Sequence, residues 1–243
     1  MKKPLIIAHR GASAYAPENT ISSFKKAIEM KSDGIELDVQ MTKDNEIVVC
    51  HDEMLNRTTN GVGYIKDLTL KEIKALDAGS WYNEKYKGEK IPTLEEVFEI
   101  VKDKNILINI ELKNIFIHYD GLEEKVVDLI QKKELTDNVI ISSFNYPSLI
   151  EIKKINRKIK VAPLYMFKFD DLLVHAKRIN SSGISMISML IDDKFINDCK
   201  DNGFNTYFFT INDRCEMMRV LKKGVSGILT DYPDVGVNLL KEL

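Results

Sequence analysis

Short apolar runs alternate with longer stretches of helical period almost from one end of the chain to the other. Runs near residues 5–8, 34–39, 106–111, 138–142, 160–164, 184–187, 206–210 and 226–230 read as strands. The stretches between them, near 20–31, 93–103, 121–133, 147–156, 170–180, 192–202, 213–223 and 234–242, read as helices. Asn19-Thr20 after Pro17 and Thr93 after Pro92 open two of them. Strand and helix in alternation build a parallel sheet covered by helices, and eight such units predict a closed (β/α)8 TIM barrel.

One run breaks the rhythm. Ile47-Val48-Val49-Cys50 follows the second strand after only Thr42-Lys43-Asp44-Asn45-Glu46, too few residues for a parallel crossover, so the spacing predicts an antiparallel hairpin. Counting back from a turn near Lys43 to Asn45, the returning arm carries His51 to about the height of Asp38. From residue 52 to 90 the pattern dissolves into Asn60-Gly61-Val62-Gly63, a short helical piece around Leu70 to Leu76 and the aromatics Trp81, Tyr82 and Tyr86. That length exceeds an ordinary barrel loop and predicts a small subdomain over the C-terminal face, with the aromatics forming its own mini-core.

At 243 residues the chain can bury a large core, and the length suits either one barrel or two small domains. Lys plus Arg number 35 against 37 for Asp plus Glu, so net charge gives no reason to expect nucleic acid or an anionic membrane as partner. Only four apolar residues, Leu5-Ile6-Ile7-Ala8, precede His9, which is far short of a signal-peptide core, and a cytoplasmic location is expected. No apolar stretch approaches the roughly 20 residues of a spanning helix. Cys50, Cys199 and Cys215 are widely spaced and odd in number, and the expectation is three free, buried thiols.

Active sites of such barrels gather at the C-terminal ends of the strands. The first strand ends in His9-Arg10-Gly11, the second in Glu36-Leu37-Asp38, the hairpin arm in His51-Asp52 and the third barrel strand in Glu111-Leu112-Lys113. Alternate strand residues share a face, so Glu36 and Asp38 point the same way and repel each other unless a cation lies between them. With Glu111 they offer an all-oxygen site for one divalent cation, Mg2+ or Ca2+; ion pairs of Glu36 or Glu111 with Arg10 or Lys113 are the alternative. His9 and His51 suit acid–base work, and Arg10 and Lys113 can contact phosphate oxygens. His118 and His175 read as surface residues. Ser142 and Ser143 could line the pocket, whereas Met166, Met186 and Met189 read as core or pocket wall. No glycine-rich phosphate loop and no GxSxG elbow is present, which removes support for nucleotide-dependent transfer and serine hydrolysis.

These residues, with Pro17-Glu18-Asn19-Thr20, Ser143-Phe144, Thr210-Ile211-Asn212 and Thr230-Asp231-Tyr232-Pro233, resemble in identity and order the glycerophosphodiester phosphodiesterases. The resemblance spans nearly the whole chain. It implies a single barrel domain over 1–243 with an insertion near 52–90. The implied activity is metal-dependent hydrolysis of glycerophosphodiesters to sn-glycerol 3-phosphate and an alcohol, within lipid and glycerol metabolism. It further implies His9 and His51 as the acid–base pair, Glu36, Asp38 and Glu111 as metal ligands, Arg10 and Lys113 as phosphate contacts, and Glu18 and Asn19 as braces of the first loop. Phe209 stands where the family usually has tryptophan, and Ser188-Met189-Leu190 where histidine or asparagine is common; both positions line the glycerol or alcohol pocket by this resemblance and bear on substrate preference. A lysophospholipase D or transphosphatidylating lipase and a barrel that only binds phosphodiesters are the rival readings; the complete histidine and carboxylate set argues against the last. The partner expected is a small-molecule glycerophosphodiester, with no nucleic acid and no membrane segment, and a homo-oligomer stays open.

Overall fold

The computed structural model describes residues 3–243. Eight parallel strands close on themselves: β1 (Leu5–Ala8), β2 (Gly34–Met41), β4 (Leu107–Leu112), β5 (Val139–Ser143), β6 (Lys160–Tyr165), β7 (Gly183–Ile187), β8 (Asn205–Phe209) and β9 (Gly227–Thr230). β1 pairs with both β2 and β9, which makes the sheet a barrel. β3 (Ile47–Val49) is the expected antiparallel arm, with Val39 opposite Val49 and Met41 opposite Ile47. The closed (β/α)8 TIM barrel expected from the alternation is therefore the fold.

Local chemistry explains where the helices begin. α1 (Ile21–Glu29) starts on Thr20, α2 (Leu70–Ala75) on Thr69 and α3 (Leu94–Val101) on Thr93, each Thr accepting from the backbone N–H three residues on while that residue's side chain answers the cap. α4 (Leu122–Lys132), α5 (Tyr146–Ile155), α6 (Leu172–Arg178), α7 (Asp193–Asp201), α8 (Arg214–Leu221) and α9 (Pro233–Leu239) complete the ring. Several of these are shorter than the periodicity suggests. α1, α4 and α6 end in a left-handed residue, Lys31, Glu134 and Asn180, whose N–H and that of the next residue turn back onto the helix's last carbonyls. A lysine and a glutamate in that role are not glycine, so sequence carries little warning of the stop.

Ile7, Ile140, Ala162, Tyr207 and Leu229 fill the barrel interior, while two larger clusters sit between sheet and helices. Each fully buried Val, Leu, Ile or Phe contributes about 1.5–3 kcal/mol to this packing. The segment between β3 and α3 has its own small core of Val48, Cys50, Leu55, Ile65, Ile73, Ala78 and Ile91. The expected aromatic mini-core does not form there. Trp81, Tyr82 and Tyr86 instead line up edge to face, and the Tyr82 and Tyr86 hydroxyls donate to the Ala14 and Tyr15 carbonyls at 2.7 and 2.8 Å. A buried phenol needs a partner for its hydroxyl, and the β1–α1 loop supplies two. Cys50 and Cys199 are buried but Cys215 is exposed, because α8 turns Met217, Val220 and Leu221 inward instead. No helix among the described residues is long and apolar enough to cross a membrane.

Candidate active site

Register brings the carboxylates together. Asp38 on β2 lies directly beside Glu111 on β4, Glu36 is two residues earlier on the same face, and an oxygen from each of the three lies within 4.8 Å of the others. Glu36 and Asp38 are buried. Burial and the charge of Asp38 push both Glu36 and Glu111 above the ordinary carboxylate range. Burial would raise Asp38 too, but the charges of Arg10 and Lys113 hold it low. The expected alternative of ion pairs is realised only at Glu111, whose Oε1 accepts from Lys113 Nζ at 2.8 Å; Glu36 Oε2 accepts from the Arg10 backbone N–H at 2.8 Å, not from its guanidinium. Three oxygen donors crowded against one another at the expense of ionisation fit a hard divalent cation.

The first loop is built tightly around this cluster. Arg10 has φ +55° and Asn19 φ +55°, an unusual backbone for side-chain-bearing residues. Arg10 is fixed there because its N–H donates to Glu36 while its carbonyl accepts from Asn19 N–H and Ser23 Oγ at 3.0 Å each. Gly11 follows at φ +81°, where a Cβ would come within 2.7 Å of Ser23 backbone and side-chain atoms. Asn19 Nδ2 donates to Asp38 Oδ2 at 2.8 Å, and Arg10 Nη1 donates to Glu18 Oε1 at 2.8 Å with Nε 3.5 Å from Asp38 Oδ2. Glu18 and Asn19 thus tie the first loop to Arg10 and to Asp38.

Two histidines flank the carboxylates, each with Nδ1 against an aspartate. His9 Nδ1 lies 2.7 Å from Asp231 Oδ1, and Asp231 also accepts from Ser13 Oγ at 3.0 Å and Asn212 Nδ2 at 2.6 Å. Burial alone would lower the His9 pKa, but the hydrogen bond to Asp231 and the charge of Glu36 outweigh it and raise the value above 6.5. His51 Nδ1 lies 2.6 Å from Asp52 Oδ1. Gln40, buried on β2, donates through Nε2 to the carbonyls of Cys50, His51 and Asp52 at 3.0, 3.2 and 2.6 Å, which fixes the arm that carries His51. All seven expected site residues meet at one barrel mouth.

Comparison with known proteins identifies the family. The model of the glycerophosphoryl diester phosphodiesterase family matches residues 9–235. The chain belongs to this family. It is 45% identical over 240 residues to a glycerophosphodiester phosphodiesterase of Caldanaerobacter subterraneus, covering 99% of each. A Bacillus subtilis glycerophosphodiester phosphodiesterase is 38% identical over 250 residues, with 95% of this chain and 84% of the relative covered. A solved Oleispira antarctica phosphodiesterase, in complex with the product sn-glycerol-3-phosphate, superposes with a TM-score of 0.91 at 32% identity over 98% of this chain and 97% of its own. Membership makes the chain a phosphodiesterase by class, as the resemblance implied.

Other features of this glycerophosphoryl diester phosphodiesterase family member were not foreseen. The roles of Asp231, Asn212 and Gln40 could not be assigned from sequence, although Gln40 follows Glu36 and Asp38 on the same strand face and Asp231 directly follows the last strand. His175 is not a plain surface residue: it is half-buried, 2.9 Å from the Tyr165 hydroxyl and packed on Tyr146, because α6 turns it inward. Ser143 Oγ donates to the Leu112 carbonyl, and Ser142 is fully buried. Met186 is core, but Met166 and Met189 are exposed rather than packed. Phe209, in the tryptophan position, stands edge-on to Phe144 with centroids 6.4 Å apart.

Proposed function

We propose that this chain hydrolyses a glycerophosphodiester to sn-glycerol 3-phosphate and an alcohol, with Glu36, Asp38 and Glu111 holding one divalent cation, Mg2+ or Ca2+. The observation that carries this reading is a pair of aspartate-anchored histidines around three converging carboxylates. A cation there would supply Lewis acidity that offsets charge on the phosphate. With Nδ1–H donated to the aspartate, each histidine leaves Nε2 free to take or give a proton. One removes the proton of the attacking hydroxyl while the other protonates the departing alkoxide; attack by water gives glycerol 3-phosphate directly, whereas attack by the glycerol 2-hydroxyl gives a cyclic phosphate that a water then opens. Arg10 and Lys113, side by side with the carboxylates, stabilise charge on the phosphate oxygens. The product found in the Oleispira relative supports glycerol 3-phosphate as the retained half.

A second reading, lysophospholipase D activity, is favoured by one feature of the rim. Ile115 and Phe116 after β4, Met166 and Phe167 after β6, and Met189 after β7 are exposed at the same end of the barrel, Phe116 at 84% and Met189 at 87%. An apolar rim suits a substrate whose glycerol carries an acyl chain. Release of glycerol 3-phosphate from glycerophosphocholine and glycerophosphoglycerol, and of lysophosphatidic acid with choline from lysophosphatidylcholine, with Mg2+ or Ca2+ and with chelator, tests both readings. Cation-dependent release from the first two is expected, falling on the order of a thousandfold in His51→Ala and to background in Glu36→Ala while the circular dichroism stays native. Preference for lysophosphatidylcholine would select the second reading. No release from any of the three would sink both.

A further inference from the structure

Arg57 lies in the segment between β3 and α3, outside the barrel strands, and none of the expected site residues includes it. Its guanidinium nevertheless grips two carboxylates of the site at once. Nη1 and Nη2 donate to Glu18 Oε2 and Oε1 at 2.7 and 2.8 Å, while Nε and Nη2 donate to Asp52 Oδ2 and Oδ1 at 2.7 and 3.0 Å. Both grips are two-pronged. Glu18 also accepts from Arg10, and Asp52 from His51, so an unbroken path runs Arg10, Glu18, Arg57, Asp52, His51. It joins the β1–α1 loop to the hairpin arm across the mouth.

We propose that Arg57 is a positioning residue for the reaction: by clamping Glu18 and Asp52 together it fixes the orientation of the His51 ring and of the Arg10 guanidinium. The clasp needs a planar fork with donors on two edges, which lysine lacks. Stability is not what it supplies, because the Arg57 side chain is 44% exposed and ion pairs at such sites add little. Geometry is. Without Arg57, Asp52 keeps only its contact to His51 and is free to turn with it, and Glu18 is left with Arg10 alone. The neutral donors Ser13 and Asn212 do for Asp231 what Arg57 does for Asp52, so each histidine has an aspartate that is itself held.

This inference rests on the phosphodiesterase reading, and two measurements separate their failures. The first is turnover: Arg57→Ala is expected to lower kcat about 10- to 100-fold, with a smaller rise in KM. Melting temperature should fall by no more than about 3 °C. Arg57→Lys should recover less than half of the loss, and added guanidinium should raise the rate of Arg57→Ala but leave that of the wild type unchanged. The second measurement needs no turnover. In 15N-histidine-labelled protein the His51 Nδ1–H proton, held against Asp52, should resonate far downfield in the wild type and broaden or vanish in Arg57→Ala. A sharp, unshifted His51 resonance in Arg57→Ala overturns the positioning role whatever the substrate. So does a kcat within threefold of wild type, or full activity in Arg57→Lys. A wild-type chain that cleaves no diester counts against the phosphodiesterase reading alone.

Discussion

In the proposed reaction each histidine depends on the carboxylate behind it. Asp231 keeps its charge: burial would raise its pKa, but hydrogen bonds from His9, Asn212 and Ser13 lower it. An ionised partner fixes the His9 proton on Nδ1 and supports the imidazolium once Nε2 takes a proton. Asparagine in its place can present an amide hydrogen to Nδ1, which forces the proton to Nε2 and removes the acceptor. Asp231→Asn is therefore expected to lower kcat on the order of 100-fold with an unchanged fold. Steady-state kinetics beside a thermal melt measure both, and a variant within a few-fold of wild type would remove Asp231 from the mechanism. This partnership was not legible in the sequence. His9 and Asp231 are 222 positions apart, and nothing local to either marks the other.

Elements were more legible than partnerships, and the reasons are local. Capping threonines stand where the helix starts were read, and the short polar turn after β2 leaves no alternative to a hairpin. Helix ends were less visible, since Lys31 and Glu134 adopt a left-handed backbone that their side chains do not advertise. The aromatics between β3 and α3 were misread for a related cause: composition marks Tyr82 and Tyr86 as apolar bulk, whereas their hydroxyls decide where they dock. The β1–α1 loop shows the same rule in one glycine. Any side chain at Gly11 meets Ser23 and an unfavourable φ together, so Gly11→Ala should destabilise the fold by about 2–3 kcal/mol. Equilibrium urea unfolding tests this; a change below about 0.5 kcal/mol would mean the loop can shift aside.

For the molecule as a whole, the carboxylate cluster links charge to stability. Glu36 is moved from 4.5 to about 8, so its protonated form favours the fold: that contribution is complete below 4.5 and is lost as pH rises through 8. Asp38 runs the other way, moved from 3.8 to about 2, and its contribution is present above 3.8 and lost as pH falls through 2. Between them the chelated protein should melt at steadily lower temperature from pH 5 to pH 8, and Mg2+ or Ca2+ should reverse the decline by binding the ionised carboxylates. Calorimetry in chelator and in excess cation reads this directly. A pH-independent melting temperature in chelator, or no gain from either cation, would count against a cation at this cluster. The His9–Asp231 contact has a consequence for how the molecule comes into being. It spans the seam where the first strand meets the last, so a growing chain that has made eight of its nine strands already holds both histidines and all three carboxylates, yet His9 still lacks its anchor. In the proposed reaction the partner that readies His9 therefore arrives only with the last strand, together with closure, and a partly made barrel should attack its substrate far more slowly than the closed one.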